Sequence, residues 1–124
     1  MEDLKTGMTN RSEMTVTDDT TAIRYDSGAL PVYSTPAMLA LMEGACWHLV
    51  KNVSGLDTVG TLVNIEHLRA CKVGTKVWAD AELAAIDGRK LSFNVAAYDD
   101  KGLIGKGYHE RFIVDPERFM AKLG

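Results

Sequence analysis

The chain reads as an α+β domain in which an antiparallel sheet of about five strands curls around one long helix. Three observations predict this. The run from Pro36 to about Asn52 is apolar on nearly all sides at helical spacing, and it is bracketed by Thr35-Pro36 and Gly55. After it the pattern changes to period two, punctuated by hairpin turns. A length of 124 residues suffices for one core and not for two, so a single domain over 1–124 is expected.

The elements follow in order. Residues 13–25, EMTVTDDTTAIRY, alternate imperfectly but are rich in Thr, Val, Ile and Tyr, which suits a first strand. DSGALPVYST mixes Gly, Pro and Ser, a loop that delivers Thr35 as N-cap and Pro36 as the first helical residue. A helix this apolar should be wrapped by other structure. Thr58 to Ala70 is the second strand. Thr75 to Asp87 is the third, with Val77, Ala79, Ala81 and Leu83 facing one way and Trp78, Asp80 and Glu82 the other. Asp87-Gly88 signals a hairpin, Leu91, Phe93, Val95 and Ala97 mark the next inner face, and Asp99 to Gly102 turns the chain into a last strand, Leu103 to Val114. Pro116 to Leu123 suits a short terminal helix. The four strands after the long helix read as a meander.

Composition narrows the partners. A formal net charge of -3 and a pI near 5.5 leave no basic stripe for nucleic acid and no polybasic segment for a membrane surface. No apolar run reaches membrane-spanning length, and MEDLKTGMTNRSE lacks the apolar core of a signal peptide, so a cytoplasmic protein is expected. Cys46 and Cys71 lie in apolar runs without C-x-x-C spacing, as small buried thiols do in a reducing compartment. Three histidines without H-E-x-x-H or clustered Cys/His spacing argue against a metal site. The glycines of GLIGKGY are out of order for a dinucleotide fingerprint.

The chemistry centres on Glu43, within MLALMEGACWHLV. Its neighbours one helical turn away are nearly all apolar, and a charge is costly there unless something uses or pairs it. His67 shares strand parity with Val63 and Ile65, which should face the helix, so His67 can face Glu43. Such a pair would serve acid/base chemistry, or would simply tie helix to sheet. Thr35 is explained as a cap, and eight helical residues rise about 12 Å, so helix geometry alone does not bring Thr35 beside Glu43. His109 and Arg111 fall on one face of the last strand and Glu110 on the other, a pattern read mainly as structural. Gly60 suits an ordinary strand start, and His48 an exposed position.

Three segments, VYSTPAMLALMEGAC, GTLVNIEHLRACKVG and GYHERFIV, resemble in order those of the fluoroacetyl-CoA thioesterase family, across residues 28–115. The resemblance implies the hotdog fold and a homodimer whose sheets join edge to edge, with active sites near the subunit interface. It implies coenzyme A thioesters as substrates and no metal or redox cofactor. By position it implies catalytic roles for Thr35, Glu43 and His67. It also implies substrate contacts from Gly60, whose backbone N–H could meet the thioester oxygen, and from Arg111. The chain departs from the family member that hydrolyses fluoroacetyl-CoA before the threonine, where that member's phenylalanine-bearing lid is replaced by the shorter GALPVYST with Leu30 near that place. Hydrolysis of a short or medium acyl-CoA is the leading expectation. A dehydratase or hydratase on acyl-CoA or acyl-carrier substrates, and a non-catalytic acyl-CoA-binding module, remain open alternatives.

Overall fold

In the computed structural model, residues 3–124 are described. They form β1 (Thr9–Thr15), α1 (Thr35–Ser54), β2 (Asp57–His67), β3 (Lys76–Asp87), β4 (Lys90–Asp99), β5 (Gly102–Val114) and α2 (Pro116–Ala121). The strands make one antiparallel sheet in the order β1-β3-β4-β5-β2, with α1 lying across one face. This is the expected hotdog architecture. No helix among the described residues is long and apolar enough to cross a membrane.

The inner faces of β3 and β4 are the residues that alternation marks. Val77, Ala79, Ala81 and Leu83 are buried against Leu91, Phe93, Val95 and Ala97. On them sit Met38, Met42, Ala45, Cys46, Leu49 and Val50 of α1, spaced as one helical stripe. Burying side chains of this size stabilises the fold by about 2 kcal/mol each. The wrapped helix is not observed in the single chain: only this stripe and Ala37 in the first turn are buried, while Ala40 and His48 are exposed and Trp47 is half-buried. Both cysteines are free and buried.

Three boundaries and the strand order differ from the sequence expectation. The first strand runs Thr9–Thr15 rather than 13–25, because the Thr20 hydroxyl accepts from the Thr17 N–H and donates to the Thr17 carbonyl across a short 3-10 turn, which breaks the extended run. The N-cap is Ser34, whose Oγ accepts from the Ala37 N–H at 3.1 Å, so Thr35 is already helical and its hydroxyl is released from capping. Strand β2 stops at His67 rather than Ala70. The four later strands are not one meander. Two-residue turns make β3-β4-β5 neighbours, but β2 lies at the far edge beside β5. Only a tight turn forces adjacency, and the link 68–75 is long enough to cross the end of the sheet.

That link positions the site. It is held to the loop before α1 by the Val32–Lys72 bridge and by Tyr33 N–H donating to the Cys71 carbonyl at 2.8 Å. Arg69 pairs with Asp99 at the β4–β5 turn. The end of β2 is thereby brought to the start of α1.

Candidate active site

Two polar groupings lie along the inner face of β2, one at each end. The first joins Thr35 and His67. Thr35 Oγ1 is 2.8 Å from His67 Nδ1, and the Tyr33 ring stands edge-on to the imidazole. The approach depends on Gly105, paired with His67 in the sheet: a Cβ there would lie 2.6 Å from the Met38 side chain. Burial holds the His67 pKa below the ordinary histidine value, so the ring is neutral and able to accept a proton. Its Nε2 is buried without a hydrogen-bond partner. A cleft of about 260 Å³ opens beside the pair, lined by Ser27, Val32, Tyr33, Thr35, His67 and Leu68 among others.

The second grouping surrounds Glu43. Its Oε2 lies 3.7 Å from Arg111 Nη1 and 3.9 Å from His109 Nε2, both on β5. Arg111 donates through Nε to Thr58 Oγ1 at 2.8 Å and through Nη2 to the Thr58 carbonyl at 3.0 Å. Gly60 makes the space: a Cβ there would meet Glu43 Oε2 at 2.8 Å and His109 Cε1 at 3.2 Å. The Glu43 side chain is 38% exposed, so it is not the buried charge expected of an apolar helix. Its nearest counter-charge is the Arg111 guanidinium.

The expected facing of Glu43 and His67 is therefore not observed within one chain. Strand parity is right, since His67, Val63 and Ile65 do share the inner face opposite Gly105, His109 and Gly107. Position along the strand separates them: Glu43 abuts Gly60, and seven residues of strand span roughly 20 Å. Thr35 and His67 come together, and Glu43, Gly60 and Arg111 come together. His109, read from sequence as mainly structural, is fully buried in the second group. Its shared parity with Arg111 was the signal that could have found it. His48 is exposed.

The arrangement offers a hydroxyl beside a neutral imidazole, and an accessible carboxylate beside a guanidinium. Burial raises the Cys46 thiol to about 12, which leaves it protonated and unreactive beside them. Among the described residues no three His, Cys, Asp or Glu side chains cluster as metal ligands. Outside the cleft, Ile23, Tyr25 and Leu30 stand exposed on the loop before α1.

Comparison with known proteins places the chain in a family. The chain is 37% identical over 94 residues to fluoroacetyl-CoA thioesterase of Streptantibioticus cattleyicolor, covering 74% of this chain and 68% of that protein. It superposes with a TM-score of 0.89 on a threonine-to-serine mutant of the fluoroacetyl-CoA thioesterase FlK in complex with acetyl-CoA, at 29% identity and covering 97% of this chain and 96% of that one. A hot-dog-like protein from Thermanaerovibrio acidaminovorans, at 19% identity and a TM-score of 0.88 over 98% of this chain and 92% of that one, shares the fold. The sequence profile of the fluoroacetyl-CoA-specific thioesterases matches residues 16–117, and the chain belongs to that family.

Proposed function

We propose that this protein is an acyl-CoA thioesterase that hydrolyses a short or medium acyl thioester to the free acid and coenzyme A, and that it works as a cytoplasmic homodimer with composite active sites. One observation carries the reading: the two groupings lie at opposite ends of the inner face of an exposed edge strand. Strand β2 borders the sheet, and Leu62 and Val63 at its middle are each 42% exposed. Bare apolar edges invite pairing. A two-fold axis near Val63 would run β2 antiparallel to its copy and bring His67 of one chain to within a residue or two of Gly60 of the partner subunit. The unpartnered Nε2 of His67 would then face the carboxylate of Glu43 of the partner subunit.

In that site the groups have complementary tasks. His67 Nδ1 takes the proton as the Thr35 hydroxyl, or a water it holds, attacks the thioester carbonyl. Glu43 of the partner subunit stabilises the imidazolium that forms. The N–H of Gly60 of the partner subunit and the guanidinium of Arg111 of the partner subunit contact the substrate carbonyl and its acyl group, where charge develops on oxygen. Collapse of the tetrahedral intermediate expels the coenzyme A thiolate, which takes the proton from His67; where water attacks, the acid forms directly, and where Thr35 attacks, a second water activated by His67 hydrolyses the acyl-threonine ester and restores the hydroxyl. Leu30 in place of a phenylalanine-bearing lid leaves fluoroacetyl selectivity without its expected residue. A saturated acyl-CoA panel assayed for thiol release, run beside enoyl-CoA, finds the acyl group and separates hydrolysis from hydration or silent binding.

Subunit complementation tests the composite site. His67→Ala and Glu43→Gln are each expected to be nearly inactive, while chains unfolded and refolded together form heterodimers with one intact site. About a quarter of wild-type activity should return if pairing is random. No recovery in a verified heterodimer would place each site within one chain and overturn the proposal.

A further inference from the structure

Behind Glu43 lies a buried network that proton transfer does not use. His109 is fully buried; its Nδ1 is 2.8 Å from the Leu62 carbonyl and its Nε2 3.2 Å from Arg111 Nη1. A carbonyl can only accept and a guanidinium can only donate, so Nδ1 carries the hydrogen and Nε2 the lone pair. We propose that Thr58 and His109 are positioning residues: they lock the Arg111 guanidinium beside Glu43, and His109 serves there as a neutral acceptor and not as an acid or base.

The donors of Arg111 account for this. Nε–H and one Nη2–H go to the Thr58 hydroxyl and carbonyl, and one Nη1–H goes to His109. The other Nη1–H is free to act toward Glu43 at 3.7 Å or toward a bound substrate. Leu62, which accepts from His109, is where the β2–β5 register resumes after the bulge at Thr61, so an irregularity in the edge strand sets the imidazole. The charged groups facing His109 are Arg111 on its own strand and Glu43 from α1, with Glu110 acting weakly from the opposite face; β2 and β4 present Leu62 and Phe93. Burial above all, with the Arg111 charge, holds the ring neutral, against the hydrogen bond to the Leu62 carbonyl and the smaller pull of the carboxylates. A protonated His109 would drive a hydrogen at Arg111 and lose its acceptor. Although this histidine stands nearest to Glu43 in the chain, it is the wrong one to look to for proton transfer.

The proposal deepens the thioesterase reading and rests on it for its kinetic test. Thr58→Val keeps the side-chain shape and removes the acceptor of Arg111 Nε–H. It should lower kcat at least about tenfold with KM changed less than threefold, because a misaligned charge is felt in the transition state. Thr58→Ser should recover most of the loss, and His109→Gln, which can both accept and donate, should be less impaired than His109→Phe. Equal kcat in folded Thr58→Val and wild type overturns the positioning role. Imidazole 15N spectra of the wild-type protein give a test independent of turnover. His109 should show a protonated Nδ1 and a bare Nε2 at neutral pH, and should take up a proton only below the ordinary histidine value. A ring that charges near the ordinary value, or the opposite tautomer, overturns the proposal even if hydrolysis is confirmed. Failure to hydrolyse any acyl-CoA with the expected tautomer present would instead remove the thioesterase reading alone.

Discussion

Replacing Glu43 by Gln removes one charge and almost no volume, so structure and chemistry should respond differently. Glu43 Oε2 and Arg111 Nη1 are 3.7 Å apart. Two unit charges at about 4 Å attract by about 4 kcal/mol at an effective dielectric of 20. Water reaches the carboxylate, which is 38% exposed and makes no direct hydrogen bond, so screening reduces the net stabilisation to about 1 kcal/mol. Arg111 keeps its bonds to Thr58 and His109 in the variant. A melting temperature about 4 °C lower is therefore expected, with the same fold and assembly. Catalysis should suffer far more: loss of the carboxylate predicts a fall in kcat of at least about 100-fold, or about 2.7 kcal/mol on the barrier. Thiol release from the best acyl-CoA and thermal unfolding of the same preparation measure the two effects. A folded Gln variant with full kcat would sink the mechanism, whereas a collapse in stability with turnover intact would make Glu43 a structural residue.

Two further outcomes follow from the same geometry. Val63→Lys places a charge at the middle of the β2 edge and should give a species of 13.6 kDa by light scattering, against twice that mass for the wild type, with loss of turnover; a dimeric, active variant would exclude pairing through β2. Burial holds His67 and His109 below the ordinary value of 6.5. Above 6.5 they are neutral in both folded and unfolded chains and carry no penalty. Below it the unfolded chain takes up protons that the folded one resists, so stability falls as pH drops from 6.5 through the lowered pKa values. Melting temperatures should decline over that window, and by less in His109→Gln; an equal decline in both would remove His109 from the account.

Much of the fold was legible because its signals are local. The Asp87-Gly88 and Asp99 to Gly102 turns mark β3, β4 and β5, and alternation picks out residues such as Phe93 and Leu83 that are fully buried. The cap was less legible. Ser34 and Thr35 have nearly the same chemistry, and which hydroxyl meets the Ala37 N–H depends on backbone angles that composition does not encode. The same one-residue shift turns Thr35 from a cap into the partner of His67. Parity placed His67 on the inner face and His109 beside Arg111, but parity carries no information about position along the helix axis.

The sequence by itself determined one long helix, its period-two strands, their inner faces and the residue types that bear chemistry, because periodicity and turn preference act over a few residues. Only the tertiary structure decided that β2 crosses to the far edge, that Thr35 meets His67 from 32 residues away, and that Glu43 faces Arg111 and His109. Those choices depend on a long link, a bulge and glycines whose missing side chains let elements approach, and each is settled by how whole elements pack together.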